Sequence, residues 1–148
     1  MEDKDFDLTD YVYIAITKKI VRGDMSLLSL EEQTIGLVWD AMGIIGNGGF
    51  AYYLAGELSW TEAPAAFDAI GVPEVADAIR TILRLYADET PPTQDDERNA
   101  ILAKFRARNP QEYDRLNNVV WAAKTRIVAK SGAYIRRHPK LLALVDKV

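Results

Sequence analysis

Gly46-Asn47-Gly48-Gly49-Phe50-Ala51 is the stretch whose spacing first suggests bound phosphate, because it fits the pattern G-x-G-x-x-A. In dinucleotide sites such glycines let the backbone approach a pyrophosphate between a strand and a helix. Here the residues before it carry a capped, helix-period pattern, so the context for a dinucleotide is missing. Two readings remain. The amides of Gly48, Gly49 and Phe50 could cradle an anion at a helix start. Alternatively, Asn47, Gly48, Gly49 and Phe50 form a tight helix–helix corner that only glycine fits, with Gly71 closing a later helix. The corner is the expectation.

Other reactive side chains are sparse. His138 is the only histidine, and cysteine is absent. Zinc sites of the usual kinds and thiol nucleophiles are therefore excluded, and no catalytic residue or cofactor is expected. Nothing near His138 orients it or gives it a group to act on, so it reads as an exposed cation at a helix end. Asp95-Asp96-Glu97 fits the first turn of a helix, where carboxylates complement the dipole. Glu57, beside Tyr52, Tyr53 and Trp60, is the acid to check for burial in a pocket next to the glycines. Lys124, Lys130, Arg136, Arg137 and Lys140 make the late sequence basic. A solvated face, or one paired with the acidic half, is expected there ahead of direct nucleic-acid binding.

The elements that must position these residues are helices. Leu8, Val12, Ala15 and Ile16 repeat at helical spacing over Asp7 to Arg22, and Gly23 supplies a stop. Ser29-Leu30-Glu31-Glu32 is a capping box opening a helix that carries Ile35, Val38, Trp39, Met42 and Ile45. It should end near Asn47 in a left-handed conformation, before a short aromatic helix from Phe50 to Gly56. Thr61 is the expected cap of a helix closed by Gly71. Pro73 opens the next, with Val75, Ile79, Ile82 and Tyr86 inward. Pro91-Pro92 marks a loop, and Thr93 the cap of a helix with Ile101, Leu102 and Phe105. From Asn109-Pro110 a single long helix should run to about Arg137, followed by a short one after Pro139. No segment alternates like a strand. The prediction is an all-α, single-domain bundle over residues 1–148, of about seven to eight helices with one long C-terminal helix.

Charge is divided unevenly. Through Glu97 there are 19 acids against Lys4, Lys18, Lys19, Arg22, Arg80 and Arg84, a balance of −13. From Arg98 onward 12 bases meet Glu112, Asp114 and Asp146, a balance of +9, within a net charge of −4. Such a split marks either a charged partner surface or two halves that face each other, within one chain or across a dimer. The acidic start lacks the apolar core of a secretory signal, and no run is long enough to span a membrane. A cytoplasmic protein is expected.

Asn47-Gly48-Gly49-Phe50, the aromatic helix after it and Ala69-Ile70-Gly71-Val72 together resemble a bacterial family, that of the DNA-mimic protein C-terminal domain. The resemblance runs from about Ile35 to His138, including Tyr113-Asp114-Arg115-Leu116 and Tyr134-Ile135-Arg136. Residues 1–29, the N-terminal helix and its acidic leader, lie outside it. It implies an all-helical, often dimeric domain. For the family's characterised member it implies a non-enzymatic role, in which surface carboxylates imitate phosphates and occupy basic DNA-binding proteins. A mimic is expected to be acidic throughout, whereas the final third here is basic. The candidate acidic surface is therefore Glu2, Asp3, Asp5, Asp7 and Asp10, with Glu31, Glu32 and Asp40. The alternatives are a ligand-binding protein or enzyme with a pocket of Glu57, Tyr52 and Tyr53, or nucleic-acid binding by the basic late helix.

Overall fold

The computed structural model describes residues 3–22, 27–55 and 60–147. Eight α-helices and no strand are found among them. The helices are α1 (Lys4–Arg22), α2 (Leu30–Ala55), α3 (Ala63–Ile70), α4 (Pro73–Leu83), α5 (Asp95–Arg108), α6 (Pro110–Ala122), α7 (Lys124–Arg136) and α8 (Pro139–Leu142). No helix among the described residues is long and apolar enough to cross a membrane.

α1 begins earlier than its apolar spacing predicts because Asp3 caps it. The Asp3 carboxylate accepts from the amides of Asp5 and Phe6 at 3.1 and 3.2 Å. The capping box of α2 forms as expected. The Glu32 amide donates to Ser29 Oγ at 3.1 Å, and the Ser29 amide donates back to Glu32 Oε1 at 3.2 Å. α2 then runs through Asn47, which stays helical rather than left-handed, and kinks at Gly49 (φ 70°, ψ −169°). Gly71 ends α3 in the left-handed region (φ 88°, ψ 36°), with the Val72 amide returning to the Phe67 carbonyl at 2.9 Å.

Several caps differ from expectation. Glu62, not Thr61, precedes α3 and makes no side-chain cap, since Pro64 in the first turn removes a donor that would need one. Gln94 precedes α5 in place of Thr93. That region is instead organised by Arg98, which is 3% exposed. Its guanidinium donates to the Pro92 carbonyl at 3.2 Å and to Asp95, while Tyr86 Oη donates to its own carbonyl at 3.0 Å. The residue counted as the first of the basic half is thus an internal clamp on the proline loop. The stops expected at Gly23 and Gly56 lie outside the described residues.

The expected long C-terminal helix is divided at Ala123 (φ −85°, ψ −3°). No proline or glycine causes this. α6 packs on α2, α4 and α5, whereas α7 packs chiefly on α1 and also on α8, α2 and α3, so apart from α2 the two halves bury their apolar stripes against different neighbours. The core joins Val12 and Ile16 of α1, Ile35, Val38 and Phe50 of α2, Phe67, Val75 and Ile79, Leu116 and Val120 of α6, and Ile127 and Ile135 of α7.

Candidate functional site

The glycine corner is closed by α6. Asn117 Oδ1 accepts from the Phe50 amide at 2.9 Å, and Asn117 Nδ2 donates to the Tyr113 carbonyl at 3.1 Å. A Cβ on Gly49 would stand 2.8 Å from Asn117 Oδ1, and one on Gly48 would stand 2.5 Å from the Tyr52 Cβ. Phe50 is fully buried. The Phe50 amide, one of three that could have met an anion, is already occupied, and the geometry is that of a packed corner.

The open space lies one turn back, on another face of α2. A cleft of about 400 Å³ is bounded by Trp39, Asp40 and Gly43 of α2, Phe6 and Tyr13 of α1, and Trp121 with Lys124 at the α6–α7 junction. Asn47 is exposed at its edge. Phe6 packs obliquely on Trp39 with ring centroids 5.1 Å apart. Trp121 is 60% exposed, and the Lys124 ammonium sits 5.4 Å from its ring centroid. No Cβ neighbour lies within 4 Å of Gly43, so the floor of the cleft is bare backbone.

Asp40 is the polar group of this cleft. Tyr13 Oη donates to its Oδ1, and among the described residues no other donor reaches it. Burial raises the Asp40 carboxyl above its ordinary range, with the Tyr13 hydrogen bond acting against the rise. Burial raises the Tyr13 phenol too, and the adjacent carboxylate adds to that. Oδ1 thus receives the Tyr13 hydroxyl, and among the described residues no side chain donates to Oδ2.

The candidate acidic surface divides into occupied and free members. Glu32 is buried and held by Lys19 Nζ at 2.6 Å. Burial disfavours its charge, but the hydrogen bonds from Lys19 and Ser29 outweigh that and hold its carboxyl below the usual range. Asp5 turns inward, pairs with Arg136 at 2.6 Å and lies against Gly132 of α7. Asp10 accepts from Trp39 Nε1 at 3.3 Å. Asp3 and Asp7 are exposed and Glu31 is half-buried. Glu2 lies outside the described residues.

In the predicted pocket, Tyr53 is buried, Tyr52 is exposed, and Glu57 lies outside the described residues. Tyr52 instead borders a separate surface hollow with Arg106 and Tyr113. His138 is half-buried, not exposed. Its Nδ1 is 2.7 Å from the Tyr134 carbonyl, and its ring is 4.2 Å from that tyrosine's. Among the described residues three ion pairs join the acidic and basic halves of the sequence: Arg136 with Asp5 at 2.6 Å, Arg126 with Glu74 at 2.5 Å, and Arg98 with Asp95. The remaining pairs are local to each half. Tyr13 and Asn117 are the residues that sequence reasoning missed, while Trp121, whose type suggests a core and helix-packing anchor, is instead exposed at the cleft. The signal available for Asn117 was only a polar residue on an otherwise apolar helical stripe.

Comparison with protein families decides the lineage. The family model described as DMP19-like protein matches residues 26–138. The chain belongs to that family. It is a DNA-mimic family. The match begins ahead of Ile35 and ends at His138, so it contains Asp40, the cleft's α2 wall and Trp121, but not α1. No curated protein and no solved structure matches the chain.

Proposed function

We propose that this chain is a non-enzymatic regulator of the DNA-mimic type, which occupies a basic DNA-binding protein with the acidic flank of α1. Family membership supports the class. The observation that carries the partner chemistry is the disposition of Asp3, Asp7 and Asp10. Asp7 and Asp10 stand on one side of α1 with the capping Asp3 just ahead of them, at i, i+4 and i+7 spacing, and among the described residues none has an ion-pair partner. Along the helix axis their spacings are about 6 and 4.5 Å. The rise per phosphate on one DNA strand is about 3.4 Å, so the charge densities are of the same order. A lysine- or arginine-lined groove that normally displaces counterions from DNA meets the same sign of field here. Asp5 and Glu32 are tied to Arg136 and Lys19, and are assigned to the fold.

The test is retention of proteins from a bacterial lysate at two salt concentrations, with and without nuclease. The expected outcome is a basic DNA-binding protein that stays after nuclease treatment, leaves at high salt, and is lost from the Asp3→Asn, Asp7→Asn, Asp10→Asn triple variant. Retention of nucleic acid itself, or of the same proteins by the triple variant, would overturn it.

A further inference from the structure

We infer that the cleft between α1, α2 and the α6–α7 junction is a receptor for a single arginine side chain of the partner. This rests on the reading of the chain as a binder of basic proteins, and adds where the partner's anchor residue goes. Three observations converge on a guanidinium. Asp40 presents a carboxylate whose Oδ1 is oriented by Tyr13 and which, among the described residues, receives no other donor. Carboxylate oxygens have two lone pairs each, so the planar fork of an arginine can bond to it beside the tyrosine. Trp39 and Trp121 bound the same space, and Trp121 already carries the Lys124 ammonium over its ring at 5.4 Å. The indole face therefore accepts a cation, and arginine also stacks on it. Finally, the floor at Gly43 is open, and about 400 Å³ is within the size range of ligand pockets. The acidic α1 flank leads to this mouth through Asp10, which Trp39 ties to the cleft wall.

A neutral aromatic occupant would leave the Asp40 carboxylate desolvated and unpaired, which disfavours it. Phosphate is repelled by the same group. Lys124 at the rim repels a cation, so its removal should tighten binding.

The probe is Nα-acetyl-arginine-N-methylamide, titrated into the isotope-labelled full chain and followed at the indole N–H signals. Trp39 and Trp121 should shift saturably, while Trp60, which does not line the cleft, should not. The isosteric blocked citrulline, which lacks the charge, should produce no comparable shift. Asp40→Asn should weaken arginine binding about tenfold or more, the ratio that one hydrogen bond to a charged group supplies. Gly43→Leu should abolish it by filling the floor, without lowering the melting temperature, and Lys124→Gln should strengthen it. Absence of a saturable shift, an equal response to citrulline, or undiminished binding in Gly43→Leu would overturn the proposal. The two readings separate cleanly. A basic protein retained equally by the parent and by Gly43→Leu would overturn the cleft's role and leave the acidic flank standing. Saturable arginine binding without any retained basic protein would support the cleft and overturn the flank.

Discussion

Gly43 and Gly49 lie on the same helix and are glycine for opposite reasons. Gly49 has a backbone that side chains rarely adopt (φ 70°, ψ −169°) and an Asn117 oxygen where its Cβ would go. Gly43 is plainly helical and has nothing within 4 Å of its Cβ position. At Gly49 the fold demands glycine. At Gly43 it does not, and a helix-interior glycine costs stability of about 0.5–1 kcal/mol against alanine. A residue kept small where the backbone has no need of it marks space left vacant for something else, and that space is the cleft. α2 carries a parallel pair of acids. Glu32 is enclosed by Lys19 and its own capping serine, whereas Asp40 has one donor and an open side.

The largest effect expected from this comparison is at the closed corner. Gly49→Val combines a strained backbone, about 1–3 kcal/mol, with overpacking against Asn117 of similar size, so a loss of about 2–6 kcal/mol is predicted in denaturant unfolding. Asn117→Ala leaves the Phe50 amide without its acceptor beside a buried ring, and a loss of about 1–3 kcal/mol follows. The two causes at Gly49 can be separated. In an Asn117→Ala background Gly49→Ala has room for its methyl, so any cost that persists belongs to the dihedral. If the cost vanished there, the backbone would not be the reason for glycine.

Most of the fold was legible from local chemistry, and the differences have a common source. The Ser29–Glu32 box, the prolines opening α4 and α6 and the Gly71 stop are decided within a few residues, and each stands where expected. The break at Ala123 and the clamp at Arg98 depend on which neighbours a helix meets, which spacing along one chain does not report. The site followed the same division. The glycines marked a corner, but the cleft is assembled from Tyr13, Asp40 and Trp121, residues far apart in sequence whose types are unremarkable separately. Acids counted as one surface were divided by tertiary partners: Asp5 was drawn in by Arg136, and Asp7 was left free.

The contrast between Glu32 and Asp40 predicts opposite responses to pH. The Glu32 carboxyl is depressed in the folded state, so its stabilisation is complete above the unfolded value of about 4.3 and is lost as pH falls through the folded one. The stability deficit of Glu32→Gln should therefore be present at neutral pH and disappear in acid. The Asp40 carboxyl is raised, so the folded chain holds that proton longer than the unfolded chain. Parent stability then declines as pH rises from about 3.9 through the raised value. Over that interval Asp40→Asn should gain on the parent. Chemical denaturation across pH 3–8 reads both curves. Parallel profiles for the two variants would mean that the carboxylates share one environment.

Gly43→Ala is the smallest and most discriminating of these changes. If Gly43 is glycine only to leave the cleft floor bare, a methyl there should stabilise the chain by about 0.5–1 kcal/mol, through the smaller entropy of the unfolded state and the better helix propensity of alanine. The same methyl points into the space beside Asp40, so arginine binding should weaken while stability rises. Those two signs cannot both arise from a general loosening of the fold, which would lower both. A destabilised Gly43→Ala would place an unrecognised packing demand at this position, making the two glycines alike. A stabilised variant that bound arginine undiminished would separate the vacancy at Gly43 from the recognition at Asp40, leaving Trp39 and Trp121 as the walls to test.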